Sequence, residues 1–271
     1  MDHESGPPGP GRGHLATDFR SVTLELVAVA AWCFAVALAG GLVGLVLGNI
    51  RLPVVLLAAS SPSAGAGANI GISGVAAAAA SIAHIRAGRV NWRLFAVMAP
   101  PSVMGAVLGS YLSGLLSSNL LLALIGVTLI YFGVDLLRAP PKPKREDEAA
   151  QGLDYKAAIV TGAMIGLLGG VVGLILGALR MPALLRYVGE RSERAVGTNI
   201  TVGVCVGVAG VIGHAPAGVD WTLLAIGSAA SVPAAIIGSR LTGKLSEEQL
   251  LKAIGGVLVV AGAATVAQAV T

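Results

Sequence analysis

The sequence predicts an all-α integral membrane protein: a polytopic helical bundle of about 7 to 9 membrane segments, made of two homologous, inverted repeats with broken or re-entrant helices. Three observations predict it. The 271 residues are 55% hydrophobic and 12% charged, with a mean hydropathy of +0.82, whereas a soluble domain is roughly one quarter charged. Apolar runs recur at the length of about 20 residues that a helix needs to cross hydrocarbon. A block of scarce residue types also occurs twice.

Inside a bilayer only helices and closed barrels satisfy every backbone group. A barrel needs short segments of alternating polarity, and the stretch Leu120 to Phe132 (LLLALIGVTLIYF) does not alternate. The 38 glycines suit helices that approach closely in lipid. Residues 1–20 are polar, rich in Gly and Pro, and lack the basic-then-apolar order of a cleaved leader; they read as a disordered tail.

Seven apolar spans follow, at 22–38, 67–85, 94–116, 119–137, 196–213, 221–241 and 248–267. Two further apolar pieces, 40–57 and 162–185, are interrupted by Gly, then Arg, then Pro, which suits hairpins of half-helices. Pro53 and Pro182 are each expected to open a new helical piece. Pro140 to Glu148 (PPKPKREDE) is charged and Pro-rich, a sequence that neither a helix nor lipid accepts. The chain thus divides into a tail at 1–20, a helix plus first repeat at 21–138, a linker at 139–155 and a second repeat at 156–271, all within one membrane domain.

The duplication is carried by Gly40, Gly41, Gly44, Gly48, Arg51 and Pro53. These recur as Gly169, Gly170, Gly173, Gly177, Arg180 and Pro182, always 129 positions later. After a one-residue slip, Gly67, Asn69, Ile70 and His84 match Gly197, Asn199, Ile200 and His214. Trp92 and Trp221 then return to the spacing of 129. Gly matches are cheap in a Gly-rich chain, so the Arg, Pro, Asn, His and Trp matches carry the inference. Paired halves of this kind are a common build of secondary transporters, whose sites lie between the repeats at discontinuous helices.

Basic residues fall between the apolar segments, as the positive-inside bias places them. With the N terminus cytoplasmic, Arg86, Arg89 and Arg93, the linker, Arg191 and Arg194, and Arg240 with Lys244 all fall inside if the second hairpin re-enters from that side. The two copies are then inverted. The net charge of +4 is explained by these loops and implies no nucleic-acid partner. The expected location is the plasma membrane, multi-pass.

No Asp or Glu lies near the middle of a proposed span, which disfavours a cation path. The charge at membrane depth is positive: Arg51 and Arg180 sit at equivalent breaks, where a guanidinium fork and open helix N–H groups suit an oxyanion. The plainer alternative is that each Arg anchors a hairpin at the headgroups. Asn69, Thr198 and Asn199 are expected to open the helix after each hairpin, capping it, facing the ligand, or both. Ser60, Ser61 and Ser63 add hydroxyls to the first copy. His84 and His214 are candidates for a coupling proton, though their place at helix ends also suits interfacial hydrogen bonding; Trp92 and Trp221 read as belt anchors. Cys33 and Cys205 stand alone, without metal or redox spacing, and no metal or cofactor is expected.

The glycines ahead of a proline, the AVGTNI stretch at Ala195 to Ile200, and the doubled VNW and VDW resemble the TauE/SafE family of sulfite exporters, over nearly the whole chain. The family's usual GxGGG cluster is thinner here, at Gly44 with Gly48 and Gly173 with Gly177. The resemblance implies anion export, with sulfite, sulfonates, related oxyanions and organic acids as the substrate classes. Three rivals are weighed against it. A passive anion channel and a partner-binding membrane subunit share the same composition. Gly71 to Gly74 (GISG) also matches the form around the nucleophile of rhomboid-type intramembrane proteases, with His84 or His214 as base. The second copy reads TVGV there, and nothing else supplies a positioned Ser-His pair, so no enzyme is expected.

Overall fold

The computed structural model describes residues 12–111, 118–138, 153–172, 174–215 and 218–270, and these are helical with short connections. In chain order the helices are α1 Arg12–Val43, α2 Gly48–Ala58, α3 Pro62–Arg86, α4 Trp92–Tyr111, α5 Ser118–Arg138, α6 Tyr155–Val172, α7 Gly177–Ala183, α8 Ser192–His214, α9 Trp221–Thr242 and α10 Glu247–Val270. A π-helical turn, Leu184–Val188, extends α7 and is closed by left-handed Gly189. Among the described residues, six helices are long and apolar enough to cross a membrane: α1, α3, α4, α8, α9 and α10. The remaining expected span, 119–137, forms α5. Gly173 and most of the linker at 139–155 lie outside the described residues, as do 1–11 of the expected tail; α1 begins at Arg12, just past the last proline of that stretch.

The apolar exterior fits lipid: Ile82, Leu108, Val127, Tyr131, Val208, Ile212 and Val260 all face outward. Glycines set the helix contacts. On α5 and α10, Gly126 faces Gly262 and Gly133 faces Gly255, so the two helices run in opposite directions. An added Cβ at any of the four would come within about 3 Å of the partner's backbone. α3 and α8 also run oppositely and cross at Gly74 and Gly207. By contrast α1 and α9 run the same way, joined from Cys33 with Ser231 to Leu42 with Thr242. α4 and α6 do likewise, with Met98 at Gly162 and Ser102 at Gly166.

The two chain breaks lie in the middle of the packing. Leu45, Val46 and Leu47 from one, and Leu174, Ile175 and Leu176 from the other, are buried in the main core. Gly44 ends α1 in the left-handed region (φ 66°), and the Leu45 amide donates to the Gly40 carbonyl at 2.9 Å. This is the bond that closes a helix ending in glycine. The Leu174 amide makes the same bond to Gly169 at 3.0 Å. The breaks therefore precede the arginines, and the expected role of the prolines is corrected. Pro53 and Pro182 lie inside α2 and α7 and open neither helix.

A second correction concerns direction. α3 runs alongside α9 in the same sense, Gly67 meeting Gly218 and Ile72 meeting Gly227, so α3 also runs the same way as α1. α2 folds back between them, with the Trp32 indole donating to the Ile50 carbonyl at 3.3 Å. The start of α1 and the Arg86 to Arg93 turn thus lie at opposite ends of the bundle, not on one side as expected. The turn's end is the basic one. It gathers Arg89 against Ser239 of α9, Asn91 against Glu190 before α8, Asp154 against Val188 and Arg186 against Asp135 of α5.

Candidate anion site

A guanidinium taken out of water needs acceptors or an opposite charge. Arg51, on the first turn of α2, is 2% exposed, and Arg180, on α7, is 1% exposed. Both are buried, so neither anchors a hairpin at the headgroup surface. Among the described residues the ion pairs are Arg186 with Asp135 and Lys252 with Glu248. Arg51 and Arg180 are in neither.

Arg51 is held by three hydrogen bonds: Nε donates to Asn69 Oδ1 at 2.9 Å, and Nη2 to the Asn69 carbonyl at 3.0 Å and to Ser73 Oγ. Ser73 in turn donates to the Asn69 carbonyl at 2.8 Å. Asn69 Nδ2 donates to the Gly48 carbonyl at 3.0 Å, tying α3 to the start of α2. Gly48 is small because a Cβ there would lie 2.9 Å from Ser73 Oγ. Beside Arg51 and Ser73 is a cavity of about 20 Å³, walled by Gly40, Gly41, Ala76, Ala77 and Ala80. That is room for a water molecule.

The second arginine repeats the design with fewer bonds. Arg180 Nη1 donates to Asn199 Oδ1 at 3.2 Å, while its Nε has no hydrogen-bond partner. Asn199 Nδ2 donates to the carbonyls of Gly177 at 3.0 Å and Gly44 at 2.7 Å, so one side chain holds both breaks. A Cβ on Gly177 would lie 3.3 Å from the Val46 amide, and glycine there lets the two broken segments meet.

The structure thus joins Arg51 with Asn69 and Arg180 with Asn199. It corrects the capping expectation: α3 starts at Pro62 behind the cap Ser61, and α8 starts at Ser192, so both asparagines lie about two turns inside their helices. Thr198 faces elsewhere, its Oγ1 accepting from the Asn91 amide at 2.9 Å. His84 is 0% exposed, with its ring against the Gly41 backbone, unlike the interfacial residue expected; the His214 side chain lies outside the described residues. Ser60 and Ser61 are loop and cap: the Ser60 amide donates to Asp220 at 3.3 Å, and Ser61 accepts from the Ala64 amide at 3.2 Å. Trp92 and Trp221 are exposed at helix starts, as belt anchors are. Ser73 of the GISG stretch is engaged by Arg51 and Asn69, and no hydrogen bond joins it to a histidine among the described residues.

Several polar residues escaped sequence reasoning. Asn49 Nδ2 donates to Thr265 Oγ1 at 2.7 Å, and Gln268 Nε2 donates to the Asn49 carbonyl at 2.8 Å. Asn49 stands beside Arg51 in an otherwise apolar run, and that was the available signal. Asn91, inside the VNW motif, caps α4 through the Leu94 amide while holding buried Glu190.

The family model described as sulfite exporter TauE/SafE matches residues 29–265. A protein of Xylella fastidiosa (strain Temecula1) named "Probable membrane transporter protein" is 28% identical over 238 residues, covering 82% of this chain and 90% of that protein. A Bacillus subtilis (strain 168) protein likewise named a probable membrane transporter is 23% identical over 239 residues, covering 79% and 86%. No solved structure matches. A match over most of the chain, on an all-helical bundle with apolar outer faces, places the protein: it belongs to the sulfite exporter TauE/SafE family of membrane transporters.

Proposed function

We propose that the protein carries a small oxyanion, sulfite, an organosulfonate or a relative of these, between two inverted units that present Arg51 and Arg180 to the bundle interior. The observation that carries this is the state of Arg180. Its guanidinium is 1% exposed, has no carboxylate partner among the described residues, and leaves Nε–H without an acceptor. Such a group is costly to bury unless a negative charge arrives, and the planar fork fits two oxygens of one oxyanion.

The inverted arrangement is supported by helix direction: α3 and α8, and α5 and α10, which the sequence spacing makes equivalent, run oppositely. Asn199, bonded to both breaks, is placed to couple movement of one unit to the other. The positive-inside bias puts the basic end in the cytoplasm and therefore the start of α1 outside, which revises the orientation expected from sequence.

The experiment is flux in proteoliposomes with sulfite, sulfate, methanesulfonate and small carboxylates, on wild type and Arg180→Gln. Charge-assisted hydrogen bonds are worth about 1.5–3 kcal/mol, so the variant should bind its anion roughly 10- to 100-fold more weakly while staying folded in the membrane. Saturable flux coupled to a proton gradient is expected of a carrier, and large unitary currents would make it a channel. Unchanged kinetics in Arg180→Gln would remove the site.

A further inference from the structure

We propose that Ser73 makes the two arginine half-sites unequal, so that the resting protein holds one anion, at Arg180. This rests on the oxyanion reading above and assigns the anion's place within it. Four residues after Asn69, Ser73 reaches Nη2 of Arg51, so that Asn69 and Ser73 together engage Nε and both N–H groups of Nη2, and each two-pronged edge of that guanidinium is taken up by protein groups. Four residues after Asn199 stands Gly203, which has no hydroxyl; a Cβ there would lie 2.9 Å from Val46 Cγ2. Arg180 is left with one hydrogen bond, at 3.2 Å, and an unpartnered Nε.

Competition for the N–H groups points the same way. The cavity at Arg51 is water-sized, and an oxyanion can take two N–H groups of that guanidinium at once only by displacing Ser73 or Asn69 from Nη2. At Arg180 the Nε–H has no protein acceptor to give up. An anion with two coplanar oxygens can accept from Nε and an Nη at once, which a halide cannot do. The two half-sites also lie on opposite sides of the α3 and α8 crossing. Asn69 precedes Gly74, and Asn199 precedes Gly207 on the antiparallel partner, which puts the Arg180 half-site toward the basic end.

Isothermal titration of the purified full chain with sulfite, and with methanesulfonate in parallel, tests this by stoichiometry. At the wild-type affinity, wild type should bind one anion, Arg180→Gln none, Ser73→Ala two, and Ser73→Ala with Arg180→Gln one. Gly203→Ser, made with Val46→Ala to clear space, should weaken binding about tenfold by giving Arg180 an internal acceptor. Each variant is compared with wild type by thermal melting in the same detergent, and Arg180→Lys replaces Arg180→Gln if the latter melts early. One site of wild-type affinity in Arg180→Gln, or one site in Ser73→Ala, overturns the assignment while leaving the carrier reading intact. Absence of both binding and flux in wild type would overturn the carrier reading itself.

Discussion

Asn199 on α8 donates its side-chain amide to the carbonyl of Gly44, 155 residues earlier and in the other half of the chain, at 2.7 Å. The same Nδ2 reaches Gly177, so the two interruptions share one donor group. Both carbonyls are buried, and a buried unmet acceptor costs about 1–3 kcal/mol. Asn199→Leu should therefore lose roughly 2–5 kcal/mol and melt early in detergent. Asn199→Asp separates fold from function: it cannot donate, yet it gives Arg180 an internal counter-charge. If the assembled protein is recovered, it should no longer bind sulfite, and wild-type affinity in Asn199→Asp would argue against an anion at Arg180.

Pro53 and Gln268 form a second dependency. Proline has no N–H to offer the carbonyl four residues back, and the Asn49 carbonyl receives Gln268 Nε2 instead, at 2.8 Å. Gln268→Leu should cost about 1–2 kcal/mol. In a Pro53→Ala background, where the backbone supplies its own donor, the cost should shrink. A double-mutant cycle measures this, and equal losses in both backgrounds would show that Gln268 acts by another route.

The repeated arginines and asparagines were legible in the sequence because those types are scarce and recur at one spacing. The position of the break was not. Proline is favoured at the first helical residue, which is why the sequence points to Pro53 as a helix start. In fact α1 is terminated earlier, by the left-handed geometry at Gly44 and the Leu45 to Gly40 bond, and α2 restarts at Gly48 with no side-chain cap. Asn69 and Asn199 read as helix openers because asparagine is a preferred N-cap and the apolar spans start at 67 and 196, leaving the Ser- and Arg-containing stretches ahead of them outside. Those stretches are the first turns of α3 and α8, and what the asparagines do depends on contacts with Arg51, Arg180 and the breaks that no local pattern contains.

Close packing at glycine predicts a contrast between two substitutions on neighbouring kinds of position. At Gly238 of α9 a Cβ would run into the Leu38 carbonyl oxygen, so Gly238→Ala must push α1 away and should destabilise strongly, by about 1–3 kcal/mol or more. At Gly256 of α10 nothing lies within 4 Å of the added carbon. Gly256→Ala should be neutral or stabilise by up to about 1 kcal/mol through helix propensity. Thermal melting in one detergent compares them, and similar melting temperatures would mean that α1 and α9 are not in such close contact.

The direction of α1 makes the last prediction. α1 runs parallel to α3 and α9, and α10 runs antiparallel to α5. The start of α1 and the end of α10 therefore lie at the end opposite the Arg86 to Arg93 turn. That turn faces the same way as Arg186, Arg191, Arg194, Arg240 and Lys244, a clustering of positive charge that the cytoplasmic side collects. Single cysteines at Gly88 and at Val270, introduced after replacing Cys33 and Cys205, should label with a membrane-impermeant thiol reagent from opposite sides. In intact cells the Val270 cysteine should react and the Gly88 cysteine should stay protected until the membrane is opened. Labelling of both from the same side would contradict the helix directions, and protection of Val270 with reaction at Gly88 would keep the directions but reverse the orientation.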